Sequence, residues 1–352
     1  MDKKRTKKDR KTNKIRKALI VRGRALGDLI WCTEIPEFLA NDGYKVDFLA
    51  FKSNAQILQN NPHLNIINLH EGMPDTKQAY DEILKKYEGF YDLIVNLLFS
   101  VEGRFLWRTD MNYGVIPSEE QRRQIPRNKN YFIETVKIAG YLSRGYGKIY
   151  FSKEEEDKIK KWKESLKGYK VILWQPEGST MNKRLPKVFK WIKAVLDYVP
   201  KSYHIVVSNT ITNEALKGYI DDERVLTTCG SWNIRTIIGA TKYADLVVGA
   251  TSFLVNVASC FETPNVVIFS AEEKENLTEY WKNSYFIYPK CKCFPCYLIP
   301  VYPEIVSDPE KKAIAQKYHN SCMGVYNYKC MESVDTEEVL SAIFRALGVI
   351  II

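Results

Sequence analysis

Histidine is scarce in this 352-residue chain: there are four, His63, His70, His204 and His319, so little of the chemistry can rest on imidazole. No apolar run approaches the ~20 residues that a membrane-spanning helix needs, so the chain is expected to be soluble or at most peripheral. Its basic start is not followed by a long apolar stretch with a small-residue cleavage site, so no secretory signal is expected. None of the glycine-bearing loops is a G-x-G-x-x-G dinucleotide loop, a P-loop ending in Gly-Lys-Ser/Thr, or a G-x-S-x-G nucleophile elbow. With 45% hydrophobic and 27% charged residues, the chain is not mainly disordered, collagen-like or a coiled coil.

The body of the chain also lacks a net charge worth the name. The formal charge is +10, but ten Lys/Arg and only two acids fall within residues 1–17, leaving 42 basic and 40 acidic side chains elsewhere. The near-neutral body argues against a nucleic-acid partner. Residues 1–17 read as a disordered basic tail, suited at most to peripheral contact with an anionic membrane.

At about 150 residues per domain, the length suggests two domains. Short apolar runs alternate with amphipathic stretches: 18–21, 45–50, 66–69 and 93–97 read as strands, with helices between. The alternation restarts at 171–174 and continues through 204–207, 225–227, 246–248 and 266–269. Continuous apolar runs between helices indicate parallel sheets covered on both faces. The expected fold class is therefore α/β, with two doubly wound, Rossmann-like domains facing across a cleft. The divisions are 18–165, 166–335 with a Cys-rich loop 290–331, and a C-terminal helix, 336–352.

Ligands of such sheets sit outside the carboxyl ends of the strands, which singles out three loops. The first is Gly23-Arg24-Ala25-Leu26-Gly27-Asp28, where Asp28 either caps the following helix or serves as a general base in the cleft. The second, Gln175–Pro186, combines Gly178, Ser179, Thr180, Lys183 and Arg184, a set suited to phosphate. The third, Gly249-Ala250-Thr251-Ser252, either caps a helix or holds a diphosphate.

Five cysteines, Cys291, Cys293, Cys296, Cys322 and Cys330, fall within 40 residues, whereas Cys32, Cys229 and Cys260 are scattered in apolar surroundings. The expected ligand set of a structural zinc or iron is Cys293, Cys296, Cys322 and Cys330, with Cys291 able to replace one of them; free or redox-paired thiols are the alternative. The segment 290–331 reads as a long loop of little regular structure, which a metal would pin.

In order and separation, these motifs resemble glycosyltransferase family 9, the heptosyltransferase-like enzymes of the GT-B fold. The resemblance spans roughly residues 18–347. It rests on Arg22–Ile30 with Thr33 and Pro36, on 46–49, and on Asn61-Pro62-His63-Leu64. It continues in Gly178-Ser179 with Lys183, Leu185 and Pro186, and in Ala244–Gly249 with Ala258 and Thr263–Val267. It implies inverting transfer of a heptose or related sugar from a nucleoside-diphosphate donor, an ADP-sugar first, to a cell-envelope glycan or glycoprotein in the cytoplasm. Asp28 matches the family's base. Gly27, Ser179, Thr180, Lys183, Thr251 and Ser252 match donor-binding positions, and the transfer needs no metal. Some members that modify surface proteins hold iron with C-terminal cysteines. Where the family has an acid, Thr-Gly and a His, this chain has Ala250, Thr251-Ser252 and Asn256. Alternatives are a catalytically degenerate protein that binds nucleotide-sugar or a partner, and a nucleotide-sugar epimerase, which the few histidines disfavour.

Overall fold

The computed structural model of the chain describes residues 15–23, 25–51, 54–70, 77–109, 116–178, 180–208, 216–228, 232–299, 303–323 and 329–349. Most of the basic tail, Arg24, Ser179 and Cys229 therefore lie outside the described residues.

Two wholly parallel sheets organise the chain. Strands β1 (Arg16–Val21), β2 (Tyr44–Phe51), β3 (Ile66–His70) and β4 (Leu93–Asn96) form the first, in the order β3-β2-β1-β4. Strands β6 (Lys170–Gln175), β7 (Tyr203–Val207), β8 (Val225–Thr227), β9 (Leu246–Ala250), β10 (Asn265–Ile268) and β11 (Ser284–Ile287) form the second, in the order β11-β10-β9-β6-β7-β8. Runs such as 18–21 and 171–174 are buried throughout, because helices cover both faces of each sheet and leave no polar side for alternation.

In each sheet the chain winds outward one way and then returns to add strands on the other side. The first sheet reverses between β1 and β4, the second between β6 and β9. Those reversals open a crevice at the carboxyl ends of the central strands. The halves are joined by a two-stranded parallel pair, β5 (Trp107–Arg108) with β12 (Leu298–Ile299). They are also joined by the hydrogen bond from Trp31 Nε1 to Asn256 Oδ1, 3.0 Å. The last helix, Thr336–Leu347, packs on the second sheet.

Three local expectations change. The run from Leu29 to Leu39 is two helices, Leu26–Ile30 and Ile35–Asn41, and Pro36 sits in the first turn of the second, where its missing N–H costs nothing. The sequence reads as a helix near 131–142; the helix ends at Ile138, before Gly140 at φ 85°. Within 290–331 a fifteen-residue helix, Pro309–Met323, replaces the expected loop. Asp308 caps it by accepting from the Glu310 and Lys311 N–H groups, both at 3.0 Å. Its Ala, Lys, Glu and Gln favour helix without an apolar stripe, so periodicity gave no sign of it. Among the described residues no helix is long and apolar enough to cross a membrane.

Candidate active site

The four loops at the two reversals meet around one cavity of about 460 Å³. Asp28 follows β1 and Glu102 follows β4; Lys183 follows β6 and Thr251 follows β9. Close approach of the loops depends on two glycines, Gly27 between the halves and Gly178 within the second. A Cβ on Gly27 would lie 3.3 Å from Asn256 Nδ2, and one on Gly178 would lie 2.8 Å from Ser252 Oγ and 2.9 Å from Lys183 Cβ. Gly178 therefore brings the second and third candidate loops together.

Asp28 is not a helix cap. The N-cap position of its helix is Ala25, which makes no side-chain cap bond and sits at φ 48°, in the left-handed region that non-glycine residues rarely adopt. Asp28 stands in the first turn instead and accepts a hydrogen bond from Arg22 Nη2 at 2.9 Å. The same Nη2 donates to Glu102 Oε1 at 2.8 Å and Oε2 at 3.1 Å, while Nη1 donates to the Leu97 carbonyl at 2.7 Å and Ser100 Oγ at 3.3 Å. Arg22 ends an apolar strand and is itself buried, so it needs these anions and carbonyls.

Side-chain exposure decides which acid meets a ligand: 19% for Asp28 against 10% for Glu102 and 2% for Arg22. The two carboxyls face the same Arg22 nitrogen, so each acts on the proton affinity of the other. Burial first, then the charge of Glu102, pushes the Asp28 carboxyl well above the usual carboxylate range, against the pull of Arg22 and Lys183. Burial acts on Glu102 in the same direction, but the Arg22 guanidinium outweighs it and holds Glu102 below that range. The proton of the pair thus rests on Asp28, beside the cavity. Sequence reasoning found Asp28 and missed Glu102, 74 residues later in a stretch that reads as loops. The available sign was Arg22 itself, a charge ending a buried run and requiring a counter-charge.

The opposite wall is open. Lys183 lies in a short 3₁₀ turn, Met181–Lys183, and lines the cavity without an ion pair among the described residues. Its neighbour Arg184 is exposed and tied to Glu177 at 3.1 Å, so Lys183 is the cation of this loop that faces the cleft. Thr180 lines the cavity too, with its hydroxyl donating to Asn182 Oδ1 at 2.8 Å. Thr251 is buried, and its Oγ1 has no hydrogen-bond partner among the described residues. Ser252 occupies the N-cap position of the helix Phe253–Ser259 but makes no cap bond. Gln175 caps that helix in its place: its Oε1 accepts from the Leu254 N–H at 3.0 Å, and its Nε2 donates to Ser252 Oγ at 3.4 Å. No histidine lines the cavity among the described residues.

The cysteines do not form the expected set. Cys293 Sγ donates to Cys291 Sγ at 3.5 Å, and Cys330 lies close enough to raise the Cys291 thiol. Cys296 points elsewhere, to the Leu298 carbonyl at 3.6 Å and the core of the first half. The Cys322 side chain is outside the described residues. Its bond to Cys291, then burial, push the Cys293 thiol up, away from the thiolate that a metal needs. Among the described residues no group of three or more side chains is placed to hold a metal ion.

No family model matches the sequence, and no curated protein matches it. Solved structures do match along nearly the whole chain, and the fold they define is GT-B, two Rossmann-like domains around a cleft. A glycosyltransferase of family 9 from Veillonella parvula aligns over 95% of this chain and 98% of its own, with TM-score 0.66 and 13% identity. The ADP-heptose lipopolysaccharide heptosyltransferase II of Escherichia coli aligns over 94% and 98%, with TM-score 0.60 and 12% identity. An iron-containing dodecameric glycosyltransferase from enterotoxigenic E. coli aligns over 94% and 76%, with TM-score 0.53 and 11% identity.

Proposed function

We propose that the chain is an inverting glycosyltransferase that moves a sugar from a nucleoside-diphosphate donor to an acceptor hydroxyl. The observation that carries this reading is the opposition, across one cavity, of a buried carboxyl pair ending in Asp28 and an unpaired cation and hydroxyl, Lys183 and Thr251. Asp28, as carboxylate, takes the acceptor proton while the acceptor oxygen bonds to the anomeric carbon from the side opposite the leaving group. The bond from that carbon to the phosphate oxygen breaks, and the nucleoside diphosphate leaves with the electron pair. Lys183 neutralises the departing charge, and Thr251 Oγ1 donates to a phosphate oxygen. Thr180 and Ser252 flank the same phosphates, and the resemblance alone assigns Ser179 to them. No metal takes part in this scheme.

The donor is an ADP-sugar of the heptose kind, with GDP- and UDP-sugars as the other candidates. The acceptor is a cell-envelope glycan or a glycoprotein. Supporting this are the resemblance in the motifs and the likeness of fold to a family 9 glycosyltransferase and to an ADP-heptose lipopolysaccharide heptosyltransferase. The reading carries with it a cytoplasmic location. A structural metal at the cysteines has the iron of one similar structure in its favour, while the separation of Cys296 from Cys291, Cys293 and Cys330 does not fit one.

Thermal unfolding with ADP, GDP, UDP and their sugar conjugates tests the reading. A ligand at a hundred times its dissociation constant stabilises the fold by about 2.7 kcal/mol. Selective stabilisation by one nucleotide is expected and names the donor. No stabilisation by any of them overturns the reading.

A further inference from the structure

We infer that Tyr131 and Glu272 form a subsite for vicinal hydroxyls of the transferred sugar, a step that rests on the glycosyltransferase reading. Both residues line the cavity, at 1% and 2% exposure. Tyr131 Oη and Glu272 Oε2 are buried and have no hydrogen-bond partner among the described residues. Such groups are rare in folded proteins, and each calls for an explanation. Neither is left over from poor packing. Tyr131 opens a helix, Tyr131–Ile138, whose cap Asn130 accepts from the Phe132 and Ile133 N–H groups at 3.1 and 3.4 Å. The Asn130 amide also donates to the Glu275 carbonyl at 3.1 Å, fixing this helix end to the segment that bears Glu272. Trp31, three residues past Asp28, packs on the Tyr131 ring with centroids 5.4 Å apart.

The chemistry of the pair selects the ligand. A carboxylate oxygen only accepts, whereas a phenol both donates and accepts. Burial, then the charge of Glu272, raises the Tyr131 phenol and keeps it protonated. A ligand that satisfies both must offer a donor to Glu272 and a hydroxyl-like partner to Tyr131, which adjacent sugar hydroxyls do. The site's place argues for the donor's ring. Glu272 follows β10 and Thr251 follows β9, and these strands pair with Ile268 beside Ala250. The Thr251 N–H also donates to the Ile268 carbonyl at 3.2 Å. The unpartnered carboxylate and the unpartnered phosphate-side hydroxyl thus leave neighbouring strand ends of the same half.

Titration of the full-length protein with bare ADP, GDP and UDP, and with ADP-glucose, GDP-mannose and UDP-glucose, tests the inference. Tyr131→Phe and Glu272→Leu remove the hydrogen-bonding groups and keep most of the volume. Both variants are expected to bind the bare diphosphate as the wild type does and to bind the nucleotide-sugar ~10- to 100-fold more weakly. Both should unfold at or above the wild-type temperature without ligand, because an unpartnered buried polar group is removed; a purely structural hydroxyl or carboxylate would lower it. Unchanged affinity for the nucleotide-sugar, or equal loss for the bare diphosphate, overturns the subsite and leaves the transferase reading standing. If the wild type itself binds none of the six, the reading falls and the subsite with it.

Discussion

The two sheets reverse at corresponding points in their strand order, yet the crevices they open are finished in opposite ways. At the first, Arg22, Asp28 and Glu102 are buried and bonded to one another. At the second, Lys183 and Thr251 line the cavity with no such partners, and Glu272 Oε2 beside them is buried without a hydrogen-bond partner among the described residues. A closed network in low dielectric stores charge and shifts proton affinity. An open set of donors and a cation attracts a ligand that closes it. The same topology therefore supplies a proton-handling wall and a ligand-holding wall, and the difference lies in whether the charged groups are paired within the protein.

The sharpest way to break this contrast is Asp28→Asn. If the first wall handles the proton, the substitution lowers turnover by ~10²- to 10⁴-fold while nucleoside-diphosphate binding and melting temperature hold. Single-turnover sugar transfer and thermal unfolding read both. Transfer at the wild-type rate would reduce Asp28 to a structural partner of Arg22.

Arg22→Met comes next, and it acts on stability. It leaves two buried carboxyls without their guanidinium, and loss of one partner of a buried ion pair costs about 3–5 kcal/mol. Denaturant unfolding should show that loss, with part of it recovered when Glu102→Leu is added. A loss below about 1 kcal/mol would mean that the network is solvated and not closed.

These contrasts also mark what the sequence could show. The strands were legible because parallel sheets bury continuous apolar runs, and the loops at their carboxyl ends carried Asp28, Lys183 and Thr251 in order. Long-range pairings were not. Glu102 meets Arg22 across 80 residues, and Tyr131 meets the 270s through Asn130. No local period encodes either. Ser252 looked like a helix cap because serine prefers that place, but Gln175 reaches over from β6 and takes the role. The cysteine spacing suggested Cys293 with Cys296, whereas the turn closed by the Phe294 N–H on the Cys291 carbonyl pairs Cys293 with Cys291.

On the open wall, Lys183→Ala should weaken nucleoside-diphosphate binding ~10- to 100-fold, the worth of a charge-assisted contact to phosphate. Calorimetric titration at two salt concentrations measures it, and the variant should lose part of the wild type's salt dependence. Arg184→Ala is the control: Arg184 is exposed and already paired with Glu177, so its loss should leave affinity within about twofold. Equal effects of the two would show that the wall's cation is not the one turned to the cavity.

Glu102→Gln has the smallest expected effect and separates charge from shape. In the wild type the reactive form of Asp28 is the carboxylate, and burial together with Glu102 raises its proton affinity. Rate should therefore rise with pH, tenfold per unit, until the pH passes the raised value of Asp28, and then level off. Glutamine keeps the size of Glu102 and removes its charge. Asp28 then faces Arg22 without a competing anion, its proton affinity falls, and the rising limb moves to lower pH by about one unit or more. A weaker base also transfers the proton less well, so the plateau should drop modestly while the rate on the acid side increases. A limb that stays in place would mean that the two carboxyls titrate independently, and the first wall would then be no more coupled than the second.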